Sequence, residues 1–343
     1  MPVALASSRR LTRPVATLHY LRRRRIVGAG LAVAARPAWA QAPWPRMPLR
    51  IVVGFPAGGG IDLAARSLAR SLADALGQPV QVENRTGANG GPAMEAALRA
   101  VDGHTLLFGN TGSLAINNEL FPDLGVDSLR DFTPVGQLIE GPFFVGVSAR
   151  LPVNTMADLI AYARAHPGQL NFGSNGIGSL HHLAFEQLRR PLGLDIHHIP
   201  YRGIPLAMPD LAAGRLGFVM DPYATMRPAE EAGHLRIVAV TSASRVDLRP
   251  DLPTVAEAAG LPDYEILAWM ALMVPATMPD AIRQRLEATM ASALQGGELP
   301  RALERQGLSP RFRDGAATRA LIEAERARYR ALIRQAGIRP DGG

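Results

Sequence analysis

Apolar residues fall into short continuous runs separated by amphipathic stretches, and the runs repeatedly end in glycine and small polar residues. Ile51-Val52-Val53 stops at Gly54-Phe55-Pro56-Ala57-Gly58-Gly59-Gly60; Ile61, Ala64, Ala65, Leu68, Leu72 and Leu76 then recur at helical spacing, and Gly77 supplies a C-cap. The pattern is a buried strand, a glycine loop and a helix. Val80-Gln81-Val82 predicts a second strand, a polar turn over 83–91 leads to a helix near 92–100, and Thr105-Leu106-Leu107-Phe108 predicts a third strand ending in Gly109-Asn110-Thr111-Gly112-Ser113.

A similar series follows Phe143-Phe144-Val145-Gly146-Val147. Thr155 and Asp158 form a capping box for a helix that stops near His166-Pro167-Gly168. Leu170-Asn171-Phe172 predicts a strand, residues 173–179 a glycine and serine loop, and residues 180–189 a helix. Ile196–Ile199 leads into Pro200-Tyr201-Arg202-Gly203, and Leu216–Met220 leads into Asp221-Pro222-Tyr223. Strands alternating with helices predict an α/β fold of parallel sheets flanked by helices, in two lobes whose loops face a cleft. Ligands of open α/β sheets sit at the C-terminal edge of the strands. Glycines let the backbone approach a ligand, and the first turn of a helix carries free N–H groups and partial positive charge, so the loop at 54–60 suits an anion. A glycine turn also serves plain chain reversal.

The N-terminus changes the reading of charge. Arg22-Arg23-Arg24-Arg25, an apolar run over 26–35 and Ala38-Trp39-Ala40 before Gln41 have the order of an export signal, and the apolar run is too short for a bilayer. The arginine run fits the twin-arginine route as well as the general secretory one. The net charge is +7, but residues 1–40 hold eight arginines and no acid; without them the 37 basic side chains become 29, against 30 acidic. A basic nucleic-acid partner surface is therefore not expected. The chain has no lysine, which excludes a Schiff-base lysine and a G-K-[ST] phosphate loop, and no cysteine. An exported chain without disulfides depends on its core alone.

Other candidate chemistry is weak. His181-His182 and His197-His198 are adjacent pairs that point different ways, without His-x-x-x-His spacing, so a structural or capping role is expected and no metal site. Asp221 has no G-x-S-x-G nucleophile to serve and reads as a hydrogen-bond acceptor in the cleft. Arg202 either reaches a distal ligand group or lies in solvent, and the Ala/Arg-rich helix at 316–336 reads as a solvated amphipathic element.

The ordered set Leu49–Asp62, Gly77–Arg85, Asp102–Leu107, Asp131-Phe132-Thr133-Pro134-Val135, Gly173-Ser174-Asn175-Gly176, Ser179-Leu180-His181-His182, Pro200-Tyr201-Arg202-Gly203 and Leu252–Glu257 resembles the substrate-binding receptors of tripartite tricarboxylate transporters, the Bug family. The resemblance spans essentially all of the chain after the signal. It implies a type II periplasmic binding fold that closes on a small carboxylate, without a cofactor or catalysis, and delivers it to membrane permease subunits. It places lobe one at 41–141 plus 266–343 and lobe two at 142–265, with crossings near Pro142 and Ile266, in a monomer. It also implies that one ligand carboxylate is held through backbone amides, hydroxyls and bridging waters, the last nearly as favourable as direct bonds.

The sites so implied are Phe55, Ala57, Gly58, Gly59, Asn110, Thr111 and Ser113 on lobe one, facing Ser174, Asn175, Gly176, Ser179, Tyr201 and Asp221 on lobe two. Ile61, Phe185 and Asp221-Pro222-Tyr223 depart from the family pattern and add apolar bulk near the cleft, whereas Ala57 in place of proline is nearly silent. Two other readings use the same residues. A solute sensor partnered with a membrane signalling protein needs the same receptor. An exported nucleotide-dependent oxidoreductase would use the first βαβ unit with Glu83, but Gly58-Gly59-Gly60 lacks G-x-G-x-x-G spacing. Export predicts cleavage between Ala40 and Gln41: N-terminal sequencing of protein from the periplasm should begin at Gln41, and a species retaining Arg22–Arg25 would refute it.

Overall fold

The computed structural model describes residues 44–121 and 124–339, so the expected signal lies outside the described residues. Eleven strands occur in this part: β1 (Leu49–Val53), β2 (Val80–Asn84), β3 (Thr105–Asn110), β4 (Phe132–Pro142), β5 (Phe144–Ser148), β6 (Leu170–Ser174), β7 (Ile196–Pro200), β8 (Phe218–Asp221), β9 (Leu235–Val240), β10 (Leu267–Pro275) and β11 (Pro310–Asp314). They make two sheets, of order β11-β4-β10-β3-β1-β2 and β7-β6-β8-β5-β9.

Alternation on β1 explains how helices cover both faces. Ile51 and Val53 pack against Ala64, Ala65, Leu68 and Leu72 of the helix Gly60–Leu76, while Val52 faces the cluster holding Ala93, Met94 and Ala97 of the helix Gly91–Arg99. Leu68 and Leu72 are fully buried, each contributing roughly 1.5–3 kcal/mol. Gly77 adopts the left-handed conformation at the end of the first helix, and the Thr155–Asp158 capping box is formed.

The sheets are not wholly parallel. β1 pairs parallel with β2 and β3, and β6 with β7 and β8, but β10 runs antiparallel to β3 and β4, β5 to β8 and β9, and β11 to β4. For β5 and β10 the reason is geometric. Each is the first strand after the chain changes sheet; it enters at the edge where parallel strands end and must run against them.

The two crossings are tied by one side chain. Thr241, fully buried, accepts from the Phe143 N–H at 2.8 Å and donates to the Ile266 carbonyl at 2.7 Å through its hydroxyl. Its own amide donates to the Phe143 carbonyl, and its carbonyl accepts from Ile266. The hydroxyl, amide and carbonyl of the buried Thr241 are thereby all satisfied.

A second cluster braces the loop after β6. The rings of His182 and His198 stack at 4.0 Å, Phe185 stacks on Phe172 at 4.5 Å, and Ser174 Oγ lies 2.5 Å from His198 Nε2. Phe185 is fully buried here, so its bulk fills the core behind the cleft rather than the cleft itself. Burial pulls His182 down to about 4, and burial with the neighbouring His182 pulls His198 down to about 3. Both rings are neutral at neutral pH, and the Gly178 N–H donates to His182 Nδ1.

Two outcomes are expected. Replacing Thr241 by valine strands the Phe143 N–H and the Ile266 carbonyl and should lower stability by about 2–4 kcal/mol in chemical denaturation; an unchanged midpoint would show that the junction tolerates their loss. The unfolded chain protonates both histidines near their ordinary value of about 6.5 while the folded chain does not, so their contribution is full above that pH and declines as pH falls toward 4. Each should add about 1.4 kcal/mol per pH unit to the slope of stability between about pH 6 and 4, and His198→Gln should remove one such increment. An unaltered slope in that variant would contradict the assignment.

Candidate functional site

The glycine loop after β1 is fixed by a carboxylate beneath it. Asp62 accepts from the Gly58 N–H at 3.0 Å, from Arg66 Nε at 2.9 Å and from Asn84 Nδ2 at 2.9 Å, and Asn84 also donates to the Phe55 carbonyl. Burial pushes Asp62 upward, but these hydrogen bonds and the Arg66 charge outweigh it and hold the carboxyl below its ordinary value. Alongside, Gly54 lies against the loop at 87–91: a Cβ on Gly54 would come within 2.4 Å of the Gly90 Cα, so only glycine permits this backbone-on-backbone approach. Ala88 and Asn89 there have positive φ, at 40° and 48°. Asn89 and Asn117 hold that strained turn by reciprocal bonds, Asn89 Nδ2 to Asn117 Oδ1 at 2.8 Å and Asn117 Nδ2 to the Asn89 carbonyl at 3.1 Å.

On the second sheet, Ser179 caps the helix Leu180–Arg189 by accepting from the His182 N–H, which sets His181 in the first turn. His181 Nε2 lies 2.8 Å from Asp221 Oδ1 at the end of β8, and Phe143 stacks on the ring at 4.4 Å. His181 and Asp221 are both about 95% buried. Two buried polar atoms here, His181 Nδ1 and Asn175 Oδ1, have no hydrogen-bond partner among the described residues.

These loops enclose a cavity of about 40 Å³, lined from the first sheet by residues that include Phe55, Ile61, Asn89, Asn110, Thr111 and Met270, and from the second by Phe143, Asn175, His181, Ile204, Asp221 and Pro222. One water needs about 10–15 Å³ on this measure, so the space suits a slender molecule of few heavy atoms. Among the described residues four α-helices start at its wall: Gly60–Leu76, Leu180–Arg189, Ile204–Ala212 and Tyr223–Glu231. Their amide ends supply partial positive charge, and among the described residues no arginine lines the cavity. The two sides touch directly. The Gly60 N–H donates to Thr225 Oγ1 at 3.1 Å, and a Cβ on Gly203 would lie 2.5 Å from Pro56 Cδ.

Of the residues expected from the sequence, Phe55, Gly59, Asn110, Thr111, Asn175, Ser179 and Asp221 line this cavity. Gly176 and Tyr201 line an adjoining recess of about 330 Å³ that shares Phe55, Asn89 and Asn175 and includes the exposed Arg202. Ala57 and Gly58 are exposed and line neither space, the Gly58 amide being committed to Asp62. Three hydroxyls are engaged by protein: Ser113 with Asn110, Ser174 with His198 and Gly176, and Thr111 with Trp269. The Tyr201 hydroxyl donates to Asp210 at 2.5 Å, and burial together with that carboxylate pushes it up to about 12.

The sequence context of His181 points to a structural role, yet the residue lines the cavity; its place just after an N-cap serine is the available signal. Asn89, Phe143, Gly203 and Met270 were also missed, and only Gly203, before a proline-containing helix start, had a local cue.

The comparisons with known proteins agree with this architecture. Residues 64–338 match the tripartite tricarboxylate transporter family receptor. BugT of Bordetella pertussis is 33% identical over 92% of this chain and 97% of its own. A solved R. palustris protein with adipate is 34% identical, with a TM-score of 0.83 over 87% of this chain and 99% of that one. MatC from Rhodopseudomonas palustris with bound malate is 30% identical, with a TM-score of 0.78 over 84% and 100%. Fold and sequence thus agree over most of the chain, which belongs to the receptor family of the tripartite tricarboxylate transporters, solute-binding proteins of the periplasm and not enzymes.

Proposed function

We propose that this receptor captures a small, slender carboxylate between two lobes, 41–141 with 266–343 and 142–265, and presents it to the membrane permease subunits of its transporter after export and cleavage at Ala40. The observation that carries this reading is the meeting of four α-helix N-termini at one cavity that is lined from both sheets and has no arginine among its described lining residues. Aligned amides and bridging water can hold an anionic oxygen without a cationic side chain, because their dipoles are already oriented. The apolar wall of Phe55, Ile61, Phe143, Ile204 and Met270 suits an aliphatic body between polar ends. Adipate and malate, present in two structural neighbours, are the first ligands to test.

In this reading the cavity closes by rotation about the junction at Thr241, and the bond from Gly60 to Thr225 and the contact of Pro56 with Gly203 form as it closes. Gly203 has φ 166°, extended backbone that alanine adopts without strain, so a methyl there acts only against Pro56. Gly203→Ala should leave thermal stability unchanged and weaken binding of adipate or malate by about 10–100-fold in calorimetry, the scale of a local overpacking cost of about 1–3 kcal/mol. Small-angle scattering should show the wild-type radius shrinking with ligand and the variant shrinking less. Unchanged affinity and radius in the variant would refute closure at this contact.

A further inference from the structure

We propose that Met270 determines the length of ligand the receptor accepts: it is a flexible stop between the cavity and a second, apolar space, and that space receives the alkyl tail of a monocarboxylate long enough to displace it. The inference rests on the carboxylate reading above and deepens it.

Among the described residues three line both spaces, Pro222, Ala268 and Met270. Pro222 carries a rigid ring and Ala268 a single methyl group, so Met270 is the long, adaptable side chain of the partition. It is only 4% exposed and belongs to one apolar cluster with Phe55 and Ile61 of the cavity and Ile139 and Leu308 of the second space. Its place on β10 accounts for this. Met270 is paired with Asn110 of β3, which lines the cavity, and with Ile139 of β4, which lines the space behind.

The second space adds about 30 Å³, lined by Ile139 and Leu308 from the first lobe and by Phe144, Val246 and Leu248 from the second. Among the described residues Ser309 supplies its one polar side chain, and no charged side chain lines it. A carboxylate driven there would lose its water without gaining a cation, whereas a methylene would exchange water for apolar contact. The cavity itself holds about 40 Å³, so an alkyl chain anchored by its carboxylate has little room before it meets the thioether. Lengthening the chain further requires Met270 to move.

Calorimetry of protein isolated from the periplasm tests the stop with butanoate, hexanoate and octanoate, and with suberate, which has the length of octanoate but a carboxylate at each end. Met270→Ala removes Cγ, Sδ and Cε; the ratio of octanoate to hexanoate affinity should rise about 10–20-fold above its wild-type value, about fourfold for each of two methylenes entering the second space, and suberate should gain nothing. The wild type supplies a readout that needs no cavity-forming variant. In protein carrying methyl-labelled methionine, the Met270 ε-methyl resonance, assigned by its loss in Met270→Leu, should shift further with each longer monocarboxylate. A folded Met270→Ala with an unchanged ratio, an equal gain for suberate, or a methyl shift indifferent to length overturns the role of Met270 while leaving a carboxylate receptor in place. Binding of adipate or malate with no monocarboxylate bound overturns the apolar tail in the same way. Failure of the wild type to bind any of these acids overturns the carboxylate reading and this inference together.

Discussion

The common edge at which parallel strands end is the constraint on which the rest of this structure depends. A strand followed by a helix on the sheet face must turn at its C-terminal end, so the amide ends of the following helices gather there. With two such sheets set edge toward edge, β1, β6, β7 and β8 all deliver their loops to one place. The antiparallel course of β5 and β10 follows from the same constraint, since a chain crossing between sheets at that edge can only leave it by running backwards. Thr241 completes the arrangement by satisfying both crossings with one hydroxyl.

The polar groups nearest the cavity are held more firmly than ligand contact alone would require. Asp62 is bonded from a loop amide, an arginine and an asparagine, and Asn89 keeps a left-handed turn through paired amide bonds to Asn117. Such prior ordering means that the loop loses little freedom when a ligand arrives. It also explains why the hydroxyls of Thr111, Ser113 and Ser174 are turned to neighbouring protein groups: they shape the loops.

Much of the fold was legible because its signals are local. Periodicity located the helix Leu180–Arg189, and the capping pair Thr155–Asp158 marked a helix start. The direction of β10 was not legible, since nothing within Leu267–Pro275 encodes which edge of a distant sheet it enters. The start of β8 was placed two residues early, at Leu216, because the amides of Leu216 and Gly217 are taken by Asp210 and by Asn171. At the site, glycine loops pointed to Phe55 and Gly59, whereas Met270 and Phe143 join the wall through long-range pairing that no local pattern reports. Family resemblance brought in Ala57 and Gly58, but the turn at Gly58, with φ 81°, directs its amide to Asp62.

A wall whose positive character comes from main-chain amides has an evolutionary consequence. Amides cannot be removed by point substitution, short of proline, so in the proposed reading mutations in the lining alter the shape and distal chemistry of the cavity while an amide-based hold on an anionic end persists. A gene duplicate could therefore exchange one solute for another through a few changes at positions such as Ile61, His181 or Met270 without passing through an intermediate unable to bind anything. That property suits a scaffold for diversification within one genome.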